Sequence, residues 1–138
     1  MGWRAVVSLA MAVWMSAAVA ADSAPLSAQR LAERVQSGDA PALILDTRTP
    51  EEFAAGHVPG ARLVPHDAIA AALEELAPYR KREIVLYCRS GRRSGLAETE
   101  LRAHGFTNLT QLEGSWLAWQ AAQLPVESGA SDAPEAQP

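Results

Sequence analysis

Ile84-Val85-Leu86-Tyr87 is an unbroken apolar run of strand length that leads directly into Cys88, the one cysteine of the chain. A strand that is apolar on both faces belongs in the interior of a parallel sheet covered by helices, whereas a half-wet sheet reads as an alternation. Arg89-Ser90-Gly91-Arg92-Arg93 follow, and then a helical segment to about His104. Ser94 is placed as the N-cap of that helix and Gly105 as its left-handed C-terminal cap. The stretch predicts a thiol at a strand end, a short arginine-rich loop after it, and a helix N-terminus pointing back at the loop.

Each of these parts suits nucleophilic chemistry on an anion. Backbone N–H groups of a tight loop and of a helix N-terminus form a concave set of donors. Three guanidinium groups near the sulfur are expected to depress the thiol pKa and favour the thiolate. Gly91 allows the loop to fold back through conformations closed to other residues. A free cysteine is more often a small core residue, but a core cysteine is not usually followed by a run carrying three arginines.

The rest of the chain supplies strands and helices in alternation. Ser27 is a good N-cap for a helix to about Gln36, with Leu26 and Leu31 spaced as a hydrophobic staple. Leu43-Ile44-Leu45 reads as a buried strand ending at Asp46, and Thr49-Pro50-Glu51-Glu52 as a capping box that opens a brief helix. His57-Val58-Pro59-Gly60 is a turn, and Ala61 to Val64 a further strand. Asp67 is expected to cap a helix carrying Ile69, Leu73 and Leu76, and Pro78 to end it. Leu109 to Leu112 gives a last strand and Ser115 to about Gln123 a last helix. This order predicts an α/β fold: a parallel sheet with helices on both faces.

In such sheets ligands gather beyond the carboxyl ends of the strands, which places Cys88 and Asp46 on one edge. Arg80-Lys81-Arg82 enters the cysteine strand from its other end, roughly 20 Å away, and reads as solvated surface. His57 reads as scaffold in its turn, Arg48 and Glu52 as an i, i+4 pair, and Trp116 and Trp119 as core packing or one wall of the pocket. Asp46 is a candidate to orient the loop by accepting backbone hydrogen bonds.

The ends of the chain predict export and a loose tail. Arg4, an apolar run from Ala5 to about Met15 and the small residues Ala18-Val19-Ala20 have the pattern of a secretory signal peptide over residues 1–20. The protein is therefore expected outside the cytoplasm, in a periplasm, with membrane contact only during export. From Glu127 to Pro138 the composition offers no core-forming residues, and residues 127–138 are expected to be disordered. The whole chain carries 12 basic and 16 acidic residues, a net charge of −4, and loss of the first 20 residues removes only Arg4. That balance argues against general nucleic-acid binding. One cysteine and three histidines scattered along the chain offer no metal cluster and no cofactor site.

At this point the residues resemble a family, the single-domain rhodaneses, which are thiosulfate sulfurtransferases and their relatives. DTRTPEEFAAGHVPGA, Asp46 to Ala61, is similar to the family's N-terminal motif, and CRSGRRS, Cys88 to Ser94, to its active-site loop. LEGSWLAWQAAQLPV, Leu112 to Val126, resembles its closing motif, with Ser115 in place of the usual second glycine. The resemblance spans a domain of residues 26–126. It implies a rhodanese-like fold and a two-step sulfur transfer in which Cys88 takes a sulfane sulfur from thiosulfate or a related donor. The resulting persulfide passes the sulfur to cyanide or a thiol, and a protein acceptor is left open. Cys88 would be the catalytic residue, with Arg89, Ser90, Gly91, Arg92, Arg93 and Ser94 binding substrate, and Arg93 foremost for the sulfonate.

Two other readings stand beside this one. One is a sulfur-carrier or partner-binding module without thiosulfate turnover. The other is a cysteine phosphatase, whose signature has a histidine before the cysteine and an arginine after five further residues. Tyr87 stands at the first place and Ser94 at the second, with the arginine one position early at Arg93. That loop is too tight to surround a phosphate ester.

Overall fold

The computed structural model describes residues 24–130. The signal peptide expected over residues 1–20 lies outside the described residues, as does most of the tail.

Four parallel strands form the sheet: β1 (Leu43–Asp46), β2 (Arg62–Leu63), β3 (Ile84–Tyr87) and β4 (Leu109–Gln111), in the order β2-β1-β3-β4. All four residues of β1 and of β3 are buried, as a central position in a two-sided sheet requires. Their side chains divide between two cores. Leu43, Leu45, Ile84 and Leu86 pack on one face against α3 (Ile69–Leu76) and α4 (Arg92–Ala103), through Ile69, Leu76, Ala97 and Leu101. Ile44, Val85 and Tyr87 pack on the other against α1 (Ala28–Gln36) and α5 (Ser115–Ala121), through Leu31, Ala32, Trp116 and Trp119. The predicted sheet covered on both faces is the one observed.

Local signals place most element ends. The Ser27 hydroxyl accepts the Arg30 N–H at 3.2 Å to start α1. The capping box opens α2 (Pro50–Ala55) with both of its bonds present, Glu52 N–H to the Thr49 hydroxyl and Thr49 N–H to the Glu52 carboxylate. Gly105 follows α4 at φ +86°, the left-handed conformation that lets the chain leave a helix.

Leu26, just ahead of α1, bridges to Leu112, its N–H donating to the Gln111 carbonyl at 2.9 Å, and extends the sheet past β4. Three expectations are corrected. Asp67 caps nothing with its side chain, because Pro65 turns the chain into a short 3-10 segment, His66–Ala68, that runs straight into α3. Ser94 is not the N-cap of α4: Gly91 holds that position at φ +112°, which leaves Ser94 inside the first turn. The chain also remains bonded to the domain beyond Val126. Glu127 exchanges backbone hydrogen bonds with His57 at 2.8 and 3.0 Å, and Gly129 donates to the Ala54 carbonyl at 2.9 Å. A composition poor in core-forming residues does not prevent backbone pairing with the exposed side of a turn.

Candidate active site

The order β2-β1-β3-β4 sends the chain from β1 to one side of the sheet and from β3 to the other. The crevice between these two neighbours, at their carboxyl ends, is the place where open α/β sheets collect ligands. Asp46 and Tyr87 are paired across it at the two strand ends, and Cys88 is the next residue. Thr47 closes the floor by donating both its N–H and its hydroxyl to the Tyr87 carbonyl, at 2.9 and 3.0 Å. Arg80 and Arg82 lie at the opposite end of β3, over the rings of Phe106 and Tyr79, and take no part.

Cys88 is 1% exposed, and the loop after it curls round its sulfur. Gly91 N–H donates to Sγ at 3.0 Å, and Ser94 Oγ stands 3.6 Å from it. The left-handed Gly91 makes this possible: it turns the chain so that its own amide and the first turn of α4 face back toward the sulfur. Burial pushes the thiol pKa up, but the N–H and hydroxyl of Ser94 and the N–H groups of Gly91 and Ser90 outweigh it, so the net direction is down. These donors reward only the charged form. The arginines expected to do this are not the main cause: Arg93 is engaged by Glu52, and Arg89 and Arg92 are exposed to solvent.

Arg93 forks onto Glu52 at 2.6 and 3.0 Å, and this ion pair, not a free cation, stands at that side of the loop. Arg89 and Arg92 are exposed and have no ion pair among the described residues. Ser90 is exposed at the loop crest, and Gly91 is half-buried. Arg48 does not pair with Glu52. It is 2% exposed, donates to both oxygens of Asp46 and to the Gly56 carbonyl, and stacks 4.6 Å from the Trp116 ring. Asp46 therefore serves Arg48, accepting its backbone N–H as well, and not the loop. His57 is a scaffold residue stacked on Phe53, with Nδ1 2.8 Å from the Phe53 carbonyl.

The second support of the loop comes from the end of β4 and the start of α5, whose tryptophans the sequence offers as core packing or one wall of the pocket. Trp116 N–H donates to the Cys88 carbonyl at 2.9 Å and Leu117 N–H to the Arg89 carbonyl at 3.2 Å. Ser115 Oγ accepts the Cys88 N–H at 3.4 Å, and Gln111 Nε2 donates to the Ser94 carbonyl at 3.1 Å. What the sequence carried no local sign of is the bonding itself, from Ser115, Trp116 and Leu117 to a loop more than twenty residues earlier.

Nothing among the described residues groups three or more possible metal ligands. The arrangement is a buried thiol, its pKa lowered, with a compact set of donors directed at the sulfur.

The family model of the rhodanese-like domain matches residues 27–122. A protein of Allochromatium vinosum named sulfurtransferase is 37% identical over 105 residues, 76% of this chain and 91% of that protein. The senescence-associated protein DIN1 of Raphanus sativus is 37% identical over 93 residues, 60% of this chain, which spans only 51% of that protein. The crystal structure of a thiosulfate sulfurtransferase from Pseudomonas aeruginosa superposes with a TM-score of 0.65 at 31% identity, covering 79% of this chain and 20% of that one. With the family motif matched across both cores and the cysteine loop, this chain belongs to the rhodanese-like domain family.

Proposed function

We propose that the protein is a sulfurtransferase that carries a sulfane sulfur on Cys88. The observation that carries this reading is the convergence of Gly91 N–H and Ser94 Oγ on a buried sulfur whose pKa is lowered. In the first step the Cys88 thiolate attacks the outer sulfur of thiosulfate. The new S–S bond forms as the old one breaks, and sulfite leaves with the electron pair. In the second step an acceptor nucleophile, cyanide or a thiolate, attacks the outer sulfur of the persulfide and restores the Cys88 thiolate. The terminal persulfide sulfur carries the negative charge, and the loop N–H groups gathered at Cys88 Sγ are the donors at hand to stabilise it. Arg89 and Arg92, exposed on the rim, supply the positive field that recruits an anionic donor.

Leu96 and Leu117 are 52% and 43% exposed. Leu96 stands one turn after Arg92 on α4, and Leu117 is bonded to Arg89 through the backbone. Apolar side chains beside a reactive loop favour a protein thiol as the cellular acceptor. The signal-like N-terminus supports export to the periplasm, and the acidic balance supports partners other than nucleic acid. Mass spectrometry of the protein after excess thiosulfate tests the reaction. One added sulfur atom, released by cyanide as thiocyanate and absent from Cys88→Ser, is the expected result. No added sulfur from thiosulfate, polysulfide or a persulfide donor would leave a binding module in its place.

A further inference from the structure

Two non-glycine residues among those described adopt positive φ, and one of them, Ser115 at φ +52°, lies beneath the cysteine loop. A left-handed backbone strains a side-chain-bearing residue by crowding its Cβ, a cost glycine avoids. Ser115 is also fully buried. A strained and buried serine is retained where its side chain does something the backbone turn alone does not.

Its hydroxyl reaches the reacting residue. Oγ accepts the Cys88 N–H at 3.4 Å, and the next residue, Trp116, gives its N–H to the Cys88 carbonyl at 2.9 Å. The two peptide groups that flank the Cys88 Cα are thus held from one side by successive residues of α5. Ser115 Oγ also stands 4.0 Å from where a side chain on Gly91 would begin, so it faces the inside of the loop. The hydroxyl is sealed from water.

We infer that Ser115 is a positioning residue for Cys88. By holding the Cys88 amide it fixes the direction of the Cα–Cβ bond, which keeps Sγ against the Gly91 N–H and the Ser94 hydroxyl. Release of that amide lets the peptide tilt, and the thiolate loses donors that the neutral thiol scarcely needs. The expected consequence is a less reactive sulfur at neutral pH, whichever way the stability of the variant moves. The inference rests on Cys88 as the reacting group, and its test requires no sulfur donor.

The rate of Cys88 alkylation by iodoacetamide is followed from pH 5 to pH 10 in the native protein, in Ser115→Gly and in Ser115→Ala, with thermal melting of each. Both variants lack the hydroxyl, but only glycine relieves the backbone. Loss of one hydrogen bond predicts alkylation about three- to tenfold slower near pH 7 in both, with the profile moved to higher pH. Ser115→Gly should melt at or above the native temperature and Ser115→Ala below it. A profile that moves in both variants regardless of melting temperature supports the inference. A profile unchanged in Ser115→Gly, or one that moves only in the variant that melts early, overturns it and makes Ser115 a packing residue. Failure of thiosulfate, polysulfide and a persulfide donor alike to load Cys88 in the native protein would defeat the sulfur-transfer reading and leave this comparison intact.

Discussion

Arg93 and Glu52, 41 residues apart in sequence, meet in a forked ion pair of 2.6 and 3.0 Å that ties the first turn of α4 to the first turn of α2. Hydrogen bonding from Arg93 is the largest reason that the Glu52 carboxyl is lowered from its ordinary 4.5 to about 2, against the opposing effect of burial. The same carboxylate completes the capping box with Thr49. One side chain therefore joins two of the segments that surround the cysteine loop.

The pair makes a prediction about acid. Because folding lowers the Glu52 pKa, its contribution to stability is complete above 4.5 and is lost as pH falls through about 2. Urea denaturation midpoints between pH 6 and pH 2 should therefore fall more steeply in the native protein than in Glu52→Gln. Equal slopes in the two proteins would place the acid sensitivity elsewhere.

The arginines of the loop divide by partner. Arg89 and Arg92 are exposed, and an exposed charge contributes at most about 1 kcal/mol, screened by salt. Replacing either by alanine should raise the KM for thiosulfate about two- to fivefold at low ionic strength, and the difference should shrink near 0.5 M salt (roughly a 3–5 Å screening length). Arg93→Ala should instead lower the melting temperature and kcat together, with little salt dependence. Steady-state kinetics at two ionic strengths separate the cases. A salt-dependent KM effect in Arg93→Ala without loss of stability would return that residue to substrate binding.

Ser94 has one hydroxyl proton and two acceptors in reach, the Gly91 carbonyl at 3.1 Å and Cys88 Sγ at 3.6 Å. Ionisation of the sulfur turns it into the better acceptor, so the hydroxyl favours the thiolate. Ser94→Ala removes that donor, and the thiol pKa should rise. Alkylation near pH 7 should slow about three- to tenfold, since the contact is long and a net hydrogen bond contributes about 0.5–1.5 kcal/mol. An unchanged alkylation profile would assign the whole effect to the loop amides.

The features legible in the sequence are those that a few adjacent residues decide. The apolar run at Ile84–Tyr87, the Thr49–Glu52 capping box and the left-handed Gly105 each follow from local sterics and hydrogen bonding. The cysteine itself was legible because its neighbours were unusual for a core. The features that were not legible are choices among equivalent partners. Arg48 could reach Glu52 by helical spacing, but its residue is not in a helix, and Asp46 lies two residues away in the crevice between strands. Arg93 could face solvent or a substrate, and only the packing of α4 beside α2 gives it a carboxylate. Ser94 fits an N-cap by type, but the glycine three residues earlier turns the chain first and frees the hydroxyl for sulfur. The Glu127 strap was missed because side-chain composition says little about which backbone groups pair.

Arg48 offers the sharpest test of what holds the crevice together. Its guanidinium is 2% exposed and its partner Asp46 is fully buried, with Nη2 2.7 Å from the carboxylate and 2.7 Å from the Gly56 carbonyl. It also lies against the rings of Trp116 and Tyr87, at 4.6 and 5.5 Å from their centroids. Arg48→Met keeps most of that volume but leaves the Asp46 carboxylate buried without a counter-charge. Breaking a buried pair in this way costs about 3–5 kcal/mol, whereas replacing both partners by apolar residues is often neutral. The single variant should therefore be strongly destabilised, and Asp46→Leu combined with Arg48→Met should recover most of the loss. Trp116 still donates to the Cys88 carbonyl in the double variant, so its alkylation profile should stay near the native one. Chemical denaturation of the three proteins measures the stabilities. A double variant as unstable as the single one would show that the arginine acts through its stacking on Trp116 and its bond to Gly56, and not through neutralising Asp46.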